Sequence, residues 1–395
     1  MRHERTGVPM DSPAVPRRRR RILAGVGIAG SLTLAAAMAF PAAAGASSYY
    51  NPPSYLSHFS KVTNIASTVP ANGDVNPYGI TVVPQSTGKL VGGDTLVSNF
   101  NNSANLQGTG TTIVQVSPWG SVSTFALIKG ALPGACPGGV GLTTALAILP
   151  GGWVVVGSLP TTDGMSDTAK AGCLIVLNNQ GTPVETWSGG NINGPWDLTA
   201  VNTWGGAEIF ITNVLNGTVK ASPKTVPGGT VVRLDVKLSP CHLPSLVGST
   251  VIGSGFAERT DPAALVVGPT GLALGYQGQL YVADTVNNRI AVIPSALWRW
   301  SPQTNGGITL TSGGFLSAPL GMTLAPNGDV LSANGGNGNL VETTPYGHQI
   351  ESVQIDPAGM GGDLFGVTIA PCGRGVLFVD DGDNTLKLFG PSFHH

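Results

Sequence analysis

Only 10 % of the 395 residues are charged, while 57 are Gly and 30 are Pro, which argues against a mainly helical protein because both residues interrupt helices. The formal net charge of −1 and the lack of a basic stripe beyond one N-terminal block exclude nucleic acid as a partner. The length suffices for a large core, and the composition suits many short strands joined by turns.

The first element is not part of the fold. In "PRRRRRILAGVGIAGSLTLAAAMAFPAAAGASS" an Arg block precedes a Gly/Ala-rich apolar run and ends in the A-x-A sequence Ala44-Gly45-Ala46, the pattern of a bacterial export signal over residues 1–46, by the Sec or Tat route. Retention as an anchor through Ile22 to Phe40 is the alternative. Cleavage removes seven Arg, one Glu and one Asp, so 20 − 7 = 13 basic and 21 − 2 = 19 acidic residues remain, a net charge of −6. No later segment is apolar enough to span a membrane. The mature chain, 47–395, is expected to be one domain and a monomer, periplasmic or extracellular. Its four cysteines suggest two disulfides; of three possible pairings, Cys136 with Cys173 and Cys241 with Cys372 is the expected one.

From residue 58 the chain reads as strands. "HFSKVTNIAS" is an alternating strand, and six units follow it. Each opens on a strand ending in a Pro/Gly turn: "NPYGITVVP", "GLTTALAILPGG", "GPWDLTAV", "GPTGLALGYQG", "APLGMTLAPNG" and "LFGVTIAPCG". Each continues with a strand ending in a small polar residue: Asn99, Ser158, Asn213, Asp284, Asn334 and Asp380. A second polar residue stands three positions on, at Asn102, Thr161, Asn216, Asn287, Asn337 and Asp383. An apolar residue at offset six, such as Val219, Ile290, Leu340 and Leu386, opens a third strand in the stronger copies. Fourth strands follow in "SVSTFAL", "PVETWSG", "STVIGSG", "GITLTSG" and "HQIESVQID". The polar positions fall 46 to 71 residues apart, which is the period of four-stranded propeller blades. The sixth unit ends before a fourth strand, so residues 58–67 are expected to supply it and close an all-β, six-bladed β-propeller of antiparallel blades. A seven-bladed ring or two domains would be the alternative count.

Residues 271 to 290, "GLALGYQGQLYVADTVNNRI", resemble the NHL repeat, "G-x-x-V-x-x-x-G-x-x-Y-V-A-D-x-x-N-x-R-I", and the other five units match it in part. The resemblance implies the propeller fold and leaves function open, because propellers host many activities.

Asn and Asp at strand ends accept hydrogen bonds from backbone N–H groups two residues on, so the recurring polar residue reads first as turn chemistry. Antiparallel pairing also sets these residues beside the start of each innermost strand. Tyr78, Asn99, Trp196, Asp197, Asn213, Asp284, Asn334, Phe365 and Asp380 are therefore the candidate ligand-binding residues, at the mouth of a central channel near Leu320; the alternative is that the aromatics plug the channel and pack against one another. The partner they suit is a small apolar or sugar-like molecule, or a protein.

Similarity to gluconolactonase-like propellers would imply a divalent metal held at the start of the inner strands. Here Tyr78, Thr143, Trp196, Thr270, Leu320 and Phe365 occupy those positions and are poor ligands for a hard cation, so neither metal nor cofactor is expected and no catalytic residue is identified. A virginiamycin-lyase-like activity would need a channel His with an acidic partner. His58, His242, His348, His394 and His395 show no metal-binding spacing, and His348 lies in a turn. "DDGD", Asp380 to Asp383, lacks the distal Glu of a calcium loop. Two classes stay open: a binding or scaffold propeller, or a propeller hydrolase or lyase served by the loops "NNSANLQGTG", "IKGALPGACPGG", "LPTTDGMSDTAKAG" and "LNGTVKASPKTVPGG".

Overall fold

The innermost strands each meet the next around an axis, and the last meets the first. The computed structural model describes residues 53–357 and 363–392; the expected export signal, His394 and His395 lie outside them. Strand β1 (Lys61–Ser67) is followed by blade 1: β2 (Val75–Val82), β3 (Thr95–Asn101), β4 (Thr112–Val116) and β5 (Val122–Leu127). Blade 2 is β6 (Leu142–Leu149), β7 (Trp153–Ser158), β8 (Cys173–Leu177) and β9 (Pro183–Trp187). Blade 3 is β10 (Pro195–Thr203), β11 (Gly206–Asn213), β12 (Val226–Ser239) and β13 (His242–Asp261), extended by a short fifth strand, β14 (Leu265–Val267). Blade 4 is β15 (Pro269–Leu274), β16 (Leu280–Asp284), β17 (Arg289–Ile293) and β18 (Ile308–Ser312). Blade 5 is β19 (Pro319–Leu324), β20 (Val330–Asn334), β21 (Asn339–Thr343) and β22 (Gln349–Gln354). Blade 6 is β23 (Leu364–Ile369), β24 (Val376–Asp380) and β25 (Thr385–Gly390), completed by β1.

The expected six-bladed ring is therefore the observed one. Four of the six second strands, β3, β16, β20 and β24, and the third strands β4 and β8 are buried along their whole length, because neighbouring blades cover both faces and leave no polar side. Apolar clusters fill the gaps between consecutive blades; Leu174 and Ile209, from blades 2 and 3, share one of them.

Closure uses two devices. β1 runs antiparallel to β25, with Lys61 opposite Gly390 and Ser67 opposite Thr385. Just before it, the chain is clasped to blade 5 by Glu342, whose carboxylate accepts from Ser54 Oγ (2.6 Å), Tyr55 N (2.8 Å) and Leu56 N (2.9 Å). The pair lies buried.

Two expectations fail locally. Val219 opens no third strand: it sits in the short helix α1 (Thr218–Ala221), and the third strand of blade 3 begins at Val226. Cys136 pairs with Cys173, 37 residues on, but Cys241 and Cys372 are unpaired and exposed. They lie in blades 3 and 6, on opposite sides of a six-bladed ring, and a bridge requires Cα atoms within roughly 7 Å.

Glu342→Ala strips buried donors of their acceptor and should lower unfolding free energy by about 3 kcal/mol in denaturant titration. Glu185→Ala, on an outer strand, should stay within about 0.5 kcal/mol.

Candidate functional site

Each blade's first strand starts at one end of the ring, here the upper end, and finishes at the lower end. Upper connections join second to third strands and each blade to the next; lower turns join first to second and third to fourth strands. The candidate residues other than Asp197 belong to the upper end, but they do not line an open mouth.

Tyr78, Trp196 and Phe365 are all buried. Tyr78 stacks between Phe365 (ring centroids 3.8 Å) and Phe100 (4.5 Å), and Trp196 lies 6.2 and 6.3 Å from Tyr78 and Phe365. Leu320, Leu159, Leu215, Leu265 and Val266 complete this cluster. Burial pushes the Tyr78 hydroxyl well above its usual pKa, and the charge of Asp381 adds to the shift. Of the two arrangements the sequence allows, rim or plug, these aromatics pack as a plug.

Long loops seal it from above. Gln107, from blade 1, donates through Nε2 to the Ala263 carbonyl (3.0 Å) beside β14, and Thr161 N, from blade 2, donates to the Gly108 carbonyl (2.9 Å). Ser166 Oγ donates to the Asp261 carbonyl (3.3 Å). Two of the four loops singled out in the sequence, "NNSANLQGTG" and "LPTTDGMSDTAKAG", thus contribute to a cover, and the one around Cys136 is tied by the disulfide.

Three of the recurring polar residues tie the connections between blades to the second strands. Asn99 Nδ2 donates to the Thr68 carbonyl (3.0 Å), Asn213 Nδ2 to Asn191 O (3.1 Å) and Asn334 Nδ2 to Phe315 O (2.8 Å). Each bond reaches the connection that enters the same blade. Asp284 instead accepts from Arg289 Nε (2.7 Å) and Asn287 Nδ2 (2.9 Å), and Asp380 from Lys387 Nζ (2.6 Å). Among these five, Asp380 takes the expected bond from two residues on, Gly382 N (3.0 Å). At Asn102 and Asn337 the offset-three residue makes such a bond.

Asp197 belongs to a different environment. Below the plug, the lower halves of the inner strands enclose a cavity of about 600 Å³, and Asp197 and Thr144 are among its lining residues. The corresponding residue in the other four units is Gly79, Gly271, Gly321 or Gly366, because the strands nearly touch there: a Cβ on Gly321 would collide with the Phe365 carbonyl oxygen, and one on Gly366 with that of Tyr78. Asp197 and Thr144 are the two units that carry a polar side chain at this level. Asp197 accepts from Leu198 N (2.8 Å) and Leu272 N (3.2 Å). Burial nevertheless raises its pKa to about 8, against the pull of those two bonds. Thr144 Oγ1 is buried with no hydrogen-bond partner among the described residues. Sequence reasoning passed over Thr144; the signal was a polar residue where the repeat otherwise places Gly.

No three His, Cys, Asp or Glu side chains gather as a metal site among the described residues. His58, His242 and His348 are exposed and lie near the lower end, away from the plug.

A family model for the NHL repeat matches residues 267–293. No curated protein matches the chain in sequence. Among solved structures, a gluconolactonase from Xanthomonas campestris is 14 % identical, with a TM-score of 0.52, over 86 % of this chain and 93 % of its own. The calcium-binding protein regucalcin from Agrobacterium tumefaciens is 13 % identical, with a TM-score of 0.51, over 84 % and 98 %. The PQQ-bound aldose sugar dehydrogenase of Streptomyces coelicolor is 17 % identical, with a TM-score of 0.51, over 83 % and 97 %. At these identities the likeness is one of fold.

Two outcomes check the plug and the buried acid. Trp196→Ala should cost about 3–5 kcal/mol of stability in denaturant titration, as for other core aromatics; a rim residue would cost almost nothing. The folded-state pKa of Asp197 exceeds its unfolded value of roughly 3.9, so the folded protein binds this proton more tightly. The group's contribution is thus most favourable below about pH 4 and declines as pH rises to about 8, by at most about 1.4 kcal/mol per unit. Melting curves of Asp197→Asn across that window should gain on the parent protein as pH increases. The chain is a six-bladed β-propeller carrying an NHL repeat.

Proposed function

We propose that this protein is an exported binding propeller that takes a small neutral ligand into the lower half of its channel. The observation that carries the reading is the cavity of about 600 Å³ beneath the aromatic plug, in which Asp197 supplies the one carboxyl group of the lining. Burial favours the protonated acid near neutrality, and a protonated acid both donates and accepts hydrogen bonds. The Thr144 hydroxyl adds a second polar group against aliphatic walls that include Leu146, Leu198 and Met322. Thr81, Thr199, Thr323 and Thr368 also line the cavity, and such a mixed polar and aliphatic lining suits a sugar-like or lactone-like molecule. The sequence-derived partner class is kept, and its place moves from the sealed upper mouth to the lower half of the channel.

Export and a monomeric state belong to the same proposal. The Cys136–Cys173 bridge is compatible with an oxidising compartment, and no helix among the described residues is long and apolar enough to cross a membrane. The hydrolase or lyase reading draws on Asp197 alone, since a raised carboxyl pKa also suits a general acid.

The test is a thermal-shift and calorimetry panel of neutral aldoses, alkyl glucosides and lactones. A ligand at 100 times its Kd should stabilise the protein by about 2.7 kcal/mol, and Ala200→Trp, which fills the cavity, should abolish the effect. Stabilisation that survives Ala200→Trp would move the site elsewhere. Chelator-insensitive lactone turnover that disappears with Asp197→Asn would establish the enzymatic reading instead.

A further inference from the structure

The exposed Trp and Tyr side chains among the described residues share one end of the ring. Trp119, Trp204, Tyr276, Trp298, Trp300 and Tyr346 are 73–104 % exposed. Trp204 and Tyr276 occupy turns between first and second strands, and the other four lie between third and fourth strands. Both kinds of turn belong to the lower end. The six come from blades 1, 3, 4 and 5, so they are spread about the axis rather than gathered in one groove.

Exposed acids are absent from the turns of that end. The lower turns contain two acidic residues, Asp94 and Asp329, and both are buried, whereas Lys89 and Arg374 there are exposed. The upper connections expose both signs, Asp163, Asp167 and Asp383 together with Lys129, Lys170, Lys220 and Lys224. Both ends belong to a chain whose expected mature charge is negative, so the lack of exposed acids below is a local property.

The turn bearing Trp298 and Trp300 is also fixed in place. Buried Arg233, on β12 of the neighbouring blade, donates through Nη1 to the carbonyls of Ala296 (3.2 Å), Leu297 (2.6 Å) and Arg299 (3.3 Å). Its guanidinium carbon lies 5.4 Å from the Trp300 ring. Arg299 braces the turn again through Pro294 O (3.1 Å) and Gln303 Oε1 (3.1 Å). Two large rings are thus held in water by a buried cation.

We propose that the lower end is a docking surface for an anionic lipid membrane. Trp and Tyr favour the membrane–water boundary, where the ring meets acyl chains and the N–H or O–H stays wet. Lys89 and Arg374, in turns without an exposed carboxylate, complete the match to anionic headgroups. Rings spread over four blades can act together on a partner that extends across the whole end. The docking is peripheral and uses no membrane-crossing helix.

The chain beginning at Ser47 retains the closed ring and lacks the apolar leader, so it is the protein to test. It should co-sediment with phosphatidylglycerol/phosphatidylcholine vesicles, bind phosphatidylcholine alone at least roughly tenfold more weakly, and release as salt is raised. Trp298→Ala with Trp300→Ala should weaken binding roughly tenfold or more, while Phe315→Ala at the upper end should not. A polarity-sensitive dye on Cys241, in a Cys372→Ser background, should shift to the blue with vesicles, and the same dye on Asp163→Cys should not. Absence of vesicle binding, or a dye response from the upper end alone, overturns the proposal. Heparin binding without vesicle binding would make the face a polyanion site and overturn it equally.

Discussion

Six strands must converge on one axis without colliding and without leaving a water-filled hole through the core. The chain meets this constraint at two successive levels. At one level four of the six inner strands carry Gly, since a Cβ at Gly271 would strike the Leu320 carbonyl and one at Gly79 would crowd Ser98 Oγ. The residue before it is aromatic in three units, and Tyr78, Trp196 and Phe365 fill the axis that the glycines allow to be narrow. Removing water from the upper half of the channel leaves the cavity confined to the lower half. The position of Asp197, one residue past Trp196, then fixes its surroundings: apolar rings above, the cavity below, and two backbone N–H groups for its oxygens.

The fold was legible because it is written six times. Strand ends at Asn99, Asn213, Asp284, Asn334 and Asp380 recur with turn-forming partners at constant offset, and local turn chemistry survives whatever the rest of the chain does. The missing fourth strand of blade 6 was legible from arithmetic, since "HFSKVTNIAS" had no other blade to join. The state of the aromatics was not legible. Whether Tyr78 lines a rim or a plug depends on loops from three blades meeting over it, and bonds such as that from Gln107 to Ala263 span 156 positions. β14 is three residues long and lacks any repeat counterpart. The pairing of Cys136 with Cys173 follows from proximity within one blade and its entering loop, whereas Cys241 and Cys372 are separated by the ring itself.

The two ends of the ring have different chemical assignments. The upper end exposes charges of both signs and seals itself with side-chain to main-chain hydrogen bonds. The lower end has exposed rings and no exposed carboxylate in its turns. Such polarity arises easily in a propeller, because first-to-second and third-to-fourth turns always fall on the same side and can diverge in composition without disturbing the strand registers that define the blades.

Ring closure also sets the order in which the molecule can assemble. Ser60 and Ser392, which meet across the β1–β25 seam, stand 332 positions apart, so the strand made first waits for the strand made last. Blades 1 to 5 can form from neighbouring sequence, but blade 6 has an unpaired edge on β25 until β1 arrives. Loop-closure entropy makes such distant pairing a late and slow event. Until then the exposed edge is the place where two copies could exchange their first strands, and the Glu342 clasp shortens that interval by holding residues 54–56 beside the seam. The expected export leader would end about 15 residues before β1, so transport of an unfolded chain postpones this final pairing until after the crossing, whereas transport of a folded chain requires the seam to be shut with the leader still attached.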